Sequence, residues 1–259
     1  MPVILQDRLP YIPWLDPRLA RMPGIAPVEG SDWLRVDEAF AAQMAARDRL
    51  ISTAPDVVHA MTDVAHPAAM ELYDLVLAKL RQTEGYVVGH TDVVRPDGVV
   101  LALNPDQPLL TLGRLVQEDL CLLQRTEAEH VLTGAVLCFP ASWSLAEKLG
   151  RPMTRIHQPV AQYSDEIATR VQRMFDMIRP EQPLWRMNAL VYANPDLHQP
   201  RRENDPRIDR TGGRYLRSER QCLLRLPQTG AVVFVIHTYV VLVTDLPPEA
   251  QAGMAAAGL

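Results

Sequence analysis

The chain has 259 residues, with 26 Lys and Arg against 31 Asp and Glu, a net charge of −5. A hydrophobic share of 47% with 22% charged residues is that of an ordinary globular protein and excludes a disordered chain or a fibrous repeat. Mild acidity also speaks against a nucleic-acid binder, whose footprint is a strongly basic face. The three cysteines Cys121, Cys138 and Cys222 are odd in number and form no CxxC pair, which favours reduced thiols and a cytoplasmic setting over a disulfide framework or a structural zinc. The opening residues are interrupted early by prolines and charges, unlike a signal peptide. The most apolar run, Ala231–Val243, is too short to span a bilayer. Only Lys79 and Lys148 are lysines, so 24 of the 26 cations are arginines. An Arg-rich codon bias is the plain cause, and bidentate carboxylate binding is the functional one.

In chain order, the proline-rich residues 1–34 read as an extended lead-in, with Trp14 and Trp33 as anchors. Val36, Phe40 and Met44 lie four apart on one helical face. A second helix is expected from His66 to Leu80, with Met70, Tyr73, Leu77 and Leu80 in one stripe. Tyr86–Val94 and Val99–Leu103 are expected to pair as a hairpin through Pro96-Asp97-Gly98. Leu112, Leu115, Val116, Leu120 and Leu123 have the spacing of another helix, and Val131–Phe139 that of a buried strand. Ser144 and Glu147 match a capping box, and Gly150 stops the helix it opens. Ser164 is the expected cap of a stronger helix bearing Ile167, Val171, Met174, Phe175 and Ile178. Met187–Ala193 is a strand, 194–213 a polar loop, and Tyr215–Leu226 and Ala231–Val243 are strands joined by a turn. Residues 247–259 read as a frayed tail, leaving 35–246 as one α+β domain with an antiparallel sheet and flanking helices.

Dinucleotide, phosphate-loop, HExxH, Gly-x-Ser-x-Gly and CxxCH patterns are all missing. Two blocks remain. In the first, His157 follows a capped helix and a turn, apparently extended between Pro152 and Pro159, with Lys148, Arg151 and Arg155 close by in sequence. A rigidly held imidazole beside cations suits an iron ligand whose porphyrin propionates need neutralising. A capping or core histidine is the blander alternative, and spacing alone favours it. In the second, strand alternation sets Arg217, Glu219 and Gln221 on one face and Ser218, Arg220 and Cys222 on the other. A carboxylate so flanked could bind an amine cation or shuttle protons, or could simply be a cross-strand ion pair.

Several stretches are similar to one family: Trp33 to Asp37, a Gln117-Glu118-Asp119-Leu120 helix, Pro140–Tyr163, Arg186-Met187-Asn188 and Leu216–Tyr239. The most specific are Glu147-Lys148-Leu149-Gly150-Arg151, Ile156-His157-Gln158-Pro159-Val160 and Arg217-Ser218-Glu219-Arg220-Gln221 with Arg225-Leu226-Pro227. The chain thereby resembles the haem-dependent oxidative N-demethylase family, alpha-subunit type. That resemblance implies a PAS-like fold holding haem b. The implied activity is that of a monooxygenase, which uses dioxygen and electrons from a partner reductase to oxidise a methyl group of a secondary amine and release formaldehyde. It implies His157 as the axial ligand, with His237 as the alternative. Glu219 would be the acidic pocket residue, and Arg186 and Asn188 would line the pocket or reach a propionate. No flavin, iron–sulfur or nicotinamide motif is present, so electrons must come from another chain. Two other functions share the implied fold: a non-catalytic haem or ligand sensor, and a haem-free assembly subunit, which Ala189 raises by standing where the family commonly has Trp.

Overall fold

The computed structural model describes residues 3–20, 24–158, 165–206 and 212–259. Among its described residues the lead-in contributes one short strand, β1 (Ala26–Pro27). Helix α1 (Phe40–Thr53) buries Met44, Arg47, Leu50 and Ile51 along one stripe. Val36 lies ahead of it and is exposed. The turn α2 (Pro55–Val58) leads into β2 (His59–Met61). Helix α3 (His66–Leu80) has the expected limits, with a proline in its first turn and Leu72, Tyr73, Val76, Leu77 and Leu80 buried.

The expected hairpin is a three-stranded sheet: β3 (Val87–Val88), β4 (Asp92–Val94) and β5 (Val100–Ala102). The run Tyr86–Val94 reverses at Gly89-His90, so its two halves pair with each other. Gly98 supplies the positive φ of +79° that the next turn requires.

The helix expected through Leu112–Leu123 is not continuous. Helix α4 (Pro108–Gly113) stops early, and β6 (Asp119–Arg125) begins at Asp119. The expected Gln117–Leu120 helix is therefore a bend entering a strand. Leu120, Leu122 and Leu123 are buried on both faces of β6, and a continuous apolar run of that length carries no decisive period.

Strand β7 (His130–Val136) is followed by α5 (Leu145–Lys148), α6 (Met153–His157) and α7 (Asp165–Met177). His157 is thus the last residue of a short helix rather than part of an extended piece. Pro159, Val160 and the expected cap Ser164 lie outside the described residues. Strands β9 (Tyr215–Arg225) and β10 (Val232–Leu242) form within a residue of the expected limits, β8 (Leu184–Tyr192) begins three residues before its expected start, and helix α8 (Pro248–Ala257) replaces the expected frayed tail. Trp14 holds this helix by donating from Nε1 to the Ala250 carbonyl at 3.0 Å.

The main sheet runs β1-β8-β9-β10-β6-β7-β2, with every pairing antiparallel. One face, with Leu120, Leu122, Leu224, Val233 and Val235, packs in the principal core with Ile51, Leu72 and Leu112 of α1, α3 and α4. The other face, with Cys121, Leu123, Leu223 and Ile236, packs on Leu145, Met153, Phe175 and Ile178 of α5, α6 and α7. The fold is α+β, a sheet between two helical layers. No helix among the described residues is long and apolar enough to cross a membrane.

Candidate functional site

Strand register builds the polar centre of the second face. Asn188 stands opposite Glu219, Arg186 opposite Gln221 and Leu190 opposite Arg217. The alternation expected of β9 is what occurs, since Arg217, Glu219 and Gln221 meet through their side chains. The Asn188 amide donates to Glu219 Oε2 at 3.1 Å, and Asn188 Oδ1 accepts the Glu219 backbone N–H at 2.9 Å. Gln221 donates to the same Oε2 at 3.0 Å. On the other oxygen, Oε1, the Arg217 guanidinium stands at 3.5 Å. Arg217 is itself held by the carbonyls of Leu197 at 2.9 Å and Phe139 at 2.6 Å. Glu219 is therefore buried but not unpaired. Its Oε2 accepts two amide bonds, and its Oε1 keeps acceptor capacity.

His157 reaches this neighbourhood from α6. Its Nδ1 lies 2.9 Å from the Met153 carbonyl one turn back. A carbonyl only accepts, so Nδ1 carries the proton and Nε2 the lone pair. Burial lowers the His157 pKa, and the charges of Lys148 and Arg186 push in the same direction against the Met153 bond. Both effects favour the neutral imidazole.

Lys148 and Arg155 are tied down by a residue that sequence reasoning missed. Glu203 accepts Lys148 Nζ at 2.6 Å and both Arg155 terminal nitrogens at 2.9 Å. These bonds, led by Arg155, depress the Glu203 pKa to about 2. Lys148 also donates to the Ile156 carbonyl at 2.9 Å, so it braces the residue before His157. Glu147 accepts the Glu203 backbone N–H at 3.1 Å and the Ser144 hydroxyl at 2.9 Å, so the two residues meet side chain to side chain and the expected capping box does not form. Glu203 lies 48 residues from Arg155, in a loop without local pattern. Arg151 is exposed on the turn between α5 and α6.

The Nε of Arg186, like that of Arg217, is buried without a hydrogen-bond partner. Burial lowers the Arg186 pKa, with Glu219 opposing, yet no ion pair within 4.0 Å joins the two. It also lines a cleft of about 530 Å³ together with Trp14, Leu19, Ala189, Gly253 and Ala257.

His237 does not join this group. It stands opposite Arg220, whereas Thr238 stands opposite Glu219, so its ring projects from the other face of the sheet. Its Nδ1 lies 2.8 Å from Glu118 and its Nε2 3.0 Å from Asp37, which engages both nitrogens.

A family model described as "Haem-dependent oxidative N-demethylase, alpha subunit-like" matches residues 24–258. The chain belongs to this family. Its description names haem, and the donor chemistry here can be compared with that group. A neutral imidazole whose second nitrogen donates to a carbonyl is the arrangement that orients a metal-ligating histidine. His157 has it. No group of three or more His, Cys, Asp or Glu among the described residues could hold a metal ion by itself, whereas a haem iron needs only one or two axial side chains. The residues present fit the group.

Proposed function

We propose that this chain is the haem-bearing subunit of an oxidative N-demethylase acting on a small secondary amine. The single observation that carries the reading is that α6, which ends in His157, packs on the face of the sheet that bears the clamped, buried Glu219. Family membership supports the cofactor and the reaction class. His157 would hold the iron of haem b. Lys148, Arg151 and Arg155 would face the propionates, and Arg186 and Asn188 would line the pocket. When bound, haem supplies the activation of dioxygen, with electrons from a partner reductase. Overall, one oxygen atom enters a methyl C–H bond and the other leaves as water. The C–N bond then breaks to release formaldehyde, and the nitrogen keeps the electron pair. Antiparallel strands with flanking helices are compatible with a PAS-derived origin, and the cysteine pattern with a cytoplasmic setting.

Glu219 does the work at the nitrogen. A secondary amine is a cation at neutral pH, and oxidation of its methyl group is helped when the nitrogen lone pair is free. Glu219 Oε1 holds the ammonium through a charge-assisted bond and then accepts its proton as a general base. Asn188 and Gln221 position the carboxylate by fixing Oε2. Glu219→Gln preserves shape and removes charge. It should retain haem and weaken amine binding by about 1.5–3 kcal/mol, the range for a hydrogen bond to a charged group. Titration of the haem-loaded variant with dimethylamine, followed by the absorption shift, reads this out. Equal affinity and turnover in variant and parent would make Glu219 a structural residue and favour a sensor.

A further inference from the structure

Glu219 and Arg186 are opposite charges on adjacent strands and on one face, and they do not pair with each other. Arg186 is opposite Gln221, two residues from Glu219, so the two stand diagonally across the strand pair. Diagonal neighbours are roughly 7–8 Å apart at the backbone, within reach for long side chains. The Glu219 carboxylate is nevertheless drawn along its own strand by Gln221 and across to Asn188, and it forms no ion pair within 4.0 Å with Arg186. Arg186 keeps a buried, unpartnered Nε and is the only ionisable side chain among the described residues lining the cleft of about 530 Å³. The rest of the described lining is apolar or small: Trp14, Leu15, Leu19, Ala189 and Ala257 among others.

A simple alkylamine would satisfy only one of these charges and would be repelled by the other. A half-buried guanidinium whose Nε has no hydrogen-bond partner is an arrangement that a carboxylate relieves bidentately. We propose that the substrate is a zwitterion, an N-methylated amino acid, with its ammonium on Glu219 and its carboxylate on Arg186. This rests on the amine-binding reading of Glu219 and deepens it by naming the substrate class. Arg186 is thereby a specificity-determining residue rather than a propionate anchor.

The experiment is calorimetric titration of the haem-loaded protein with N-methylglycine and with dimethylamine, for the parent and for Arg186→Gln. The parent should prefer N-methylglycine, and Arg186→Gln should shrink the ratio of the two affinities roughly 10- to 100-fold, as expected for loss of a charge-assisted pair. A parent that binds dimethylamine as tightly as N-methylglycine overturns the substrate class while leaving Glu219 as an amine site. An unchanged ratio in the variant does the same. Failure of both ligands to bind the parent removes the amine reading and this inference together. Loss of haem in Arg186→Gln, with haem kept in Glu219→Gln, would assign Arg186 to a propionate and overturn the proposal.

Discussion

Asp119→Ala is expected to destabilise the fold by about 3–5 kcal/mol, the range for removing one partner of a buried ion pair. Asp119 Oδ1 accepts Arg47 at 2.7 Å and the Cys138 backbone N–H at 2.7 Å, while Oδ2 accepts the Phe139 N–H at 2.8 Å. Both side chains are essentially inaccessible, at 0% for Arg47 and 1% for Asp119. Arg47 also donates to the carbonyls of Gly113 at 2.8 Å and Gln117 at 3.1 Å. The carboxylate thus joins α1, the bend after α4, the start of β6 and the segment leaving β7. Its loss strands a charge and two backbone donors without water. Domains of this kind are stable by only about 5–15 kcal/mol, so the variant should unfold at a much lower denaturant concentration. A change below ~1 kcal/mol in the extrapolated unfolding free energy would contradict this account of the core.

The second large effect is a loss of stability in alkali. His237 is fully buried, and burial by itself lowers its pKa. The hydrogen bonds and charges of Asp37 and Glu118 outweigh that and raise it to about 9. In the unfolded chain the imidazole titrates near its ordinary 6.5. Because the folded value is the higher one, the stabilisation is complete below pH 6.5 and is lost as pH rises through 9. A shift of this size corresponds to a difference on the order of 3 kcal/mol. The consequence spreads beyond one ring. Asp37 also accepts Gln6 at 3.0 Å and Gln117 at 2.7 Å, and Gln6 accepts the Val240 N–H at 2.8 Å, which fastens the lead-in to β10 beyond its pairing with β6. Unfolding free energies measured from pH 6 to 10 should fall across that window, and His237→Gln should remove most of the slope. A flat profile in the parent protein would mean that His237 is neutral when folded.

Particular residues show how much of this was legible beforehand. Helix α3 carries a clear helical period, and β9 and β10 flank a turn signal, so they form where read, whereas β8 begins three residues before its expected start. The Arg217/Glu219/Gln221 face follows from alternation alone, because one strand fixes it. Leu112–Leu123 misleads because an apolar run buried on both sides fits a helix and a strand equally well. His157 was expected on an extended piece because prolines flank it, yet five residues suffice for a helical turn braced from outside by Lys148. Glu203, Asp37 and Glu118 escaped notice as partners because their roles depend on packing between distant segments, for which a single sequence carries no local signal. His237 appeared as a second iron ligand because it departs from the family pattern at that position, on the face shared with Tyr239. The register that turns it to the opposite face is a property of the assembled sheet.

The most direct measurement of the central claim is the absorption spectrum of the protein purified after haem supply. A Soret band at stoichiometric haem is predicted for the parent, with loss of that band in His157→Ala and its survival in His237→Gln. A parent protein that takes up no haem, or a His157→Ala variant that holds it with an unchanged spectrum, would contradict the assignment of His157 as the iron ligand.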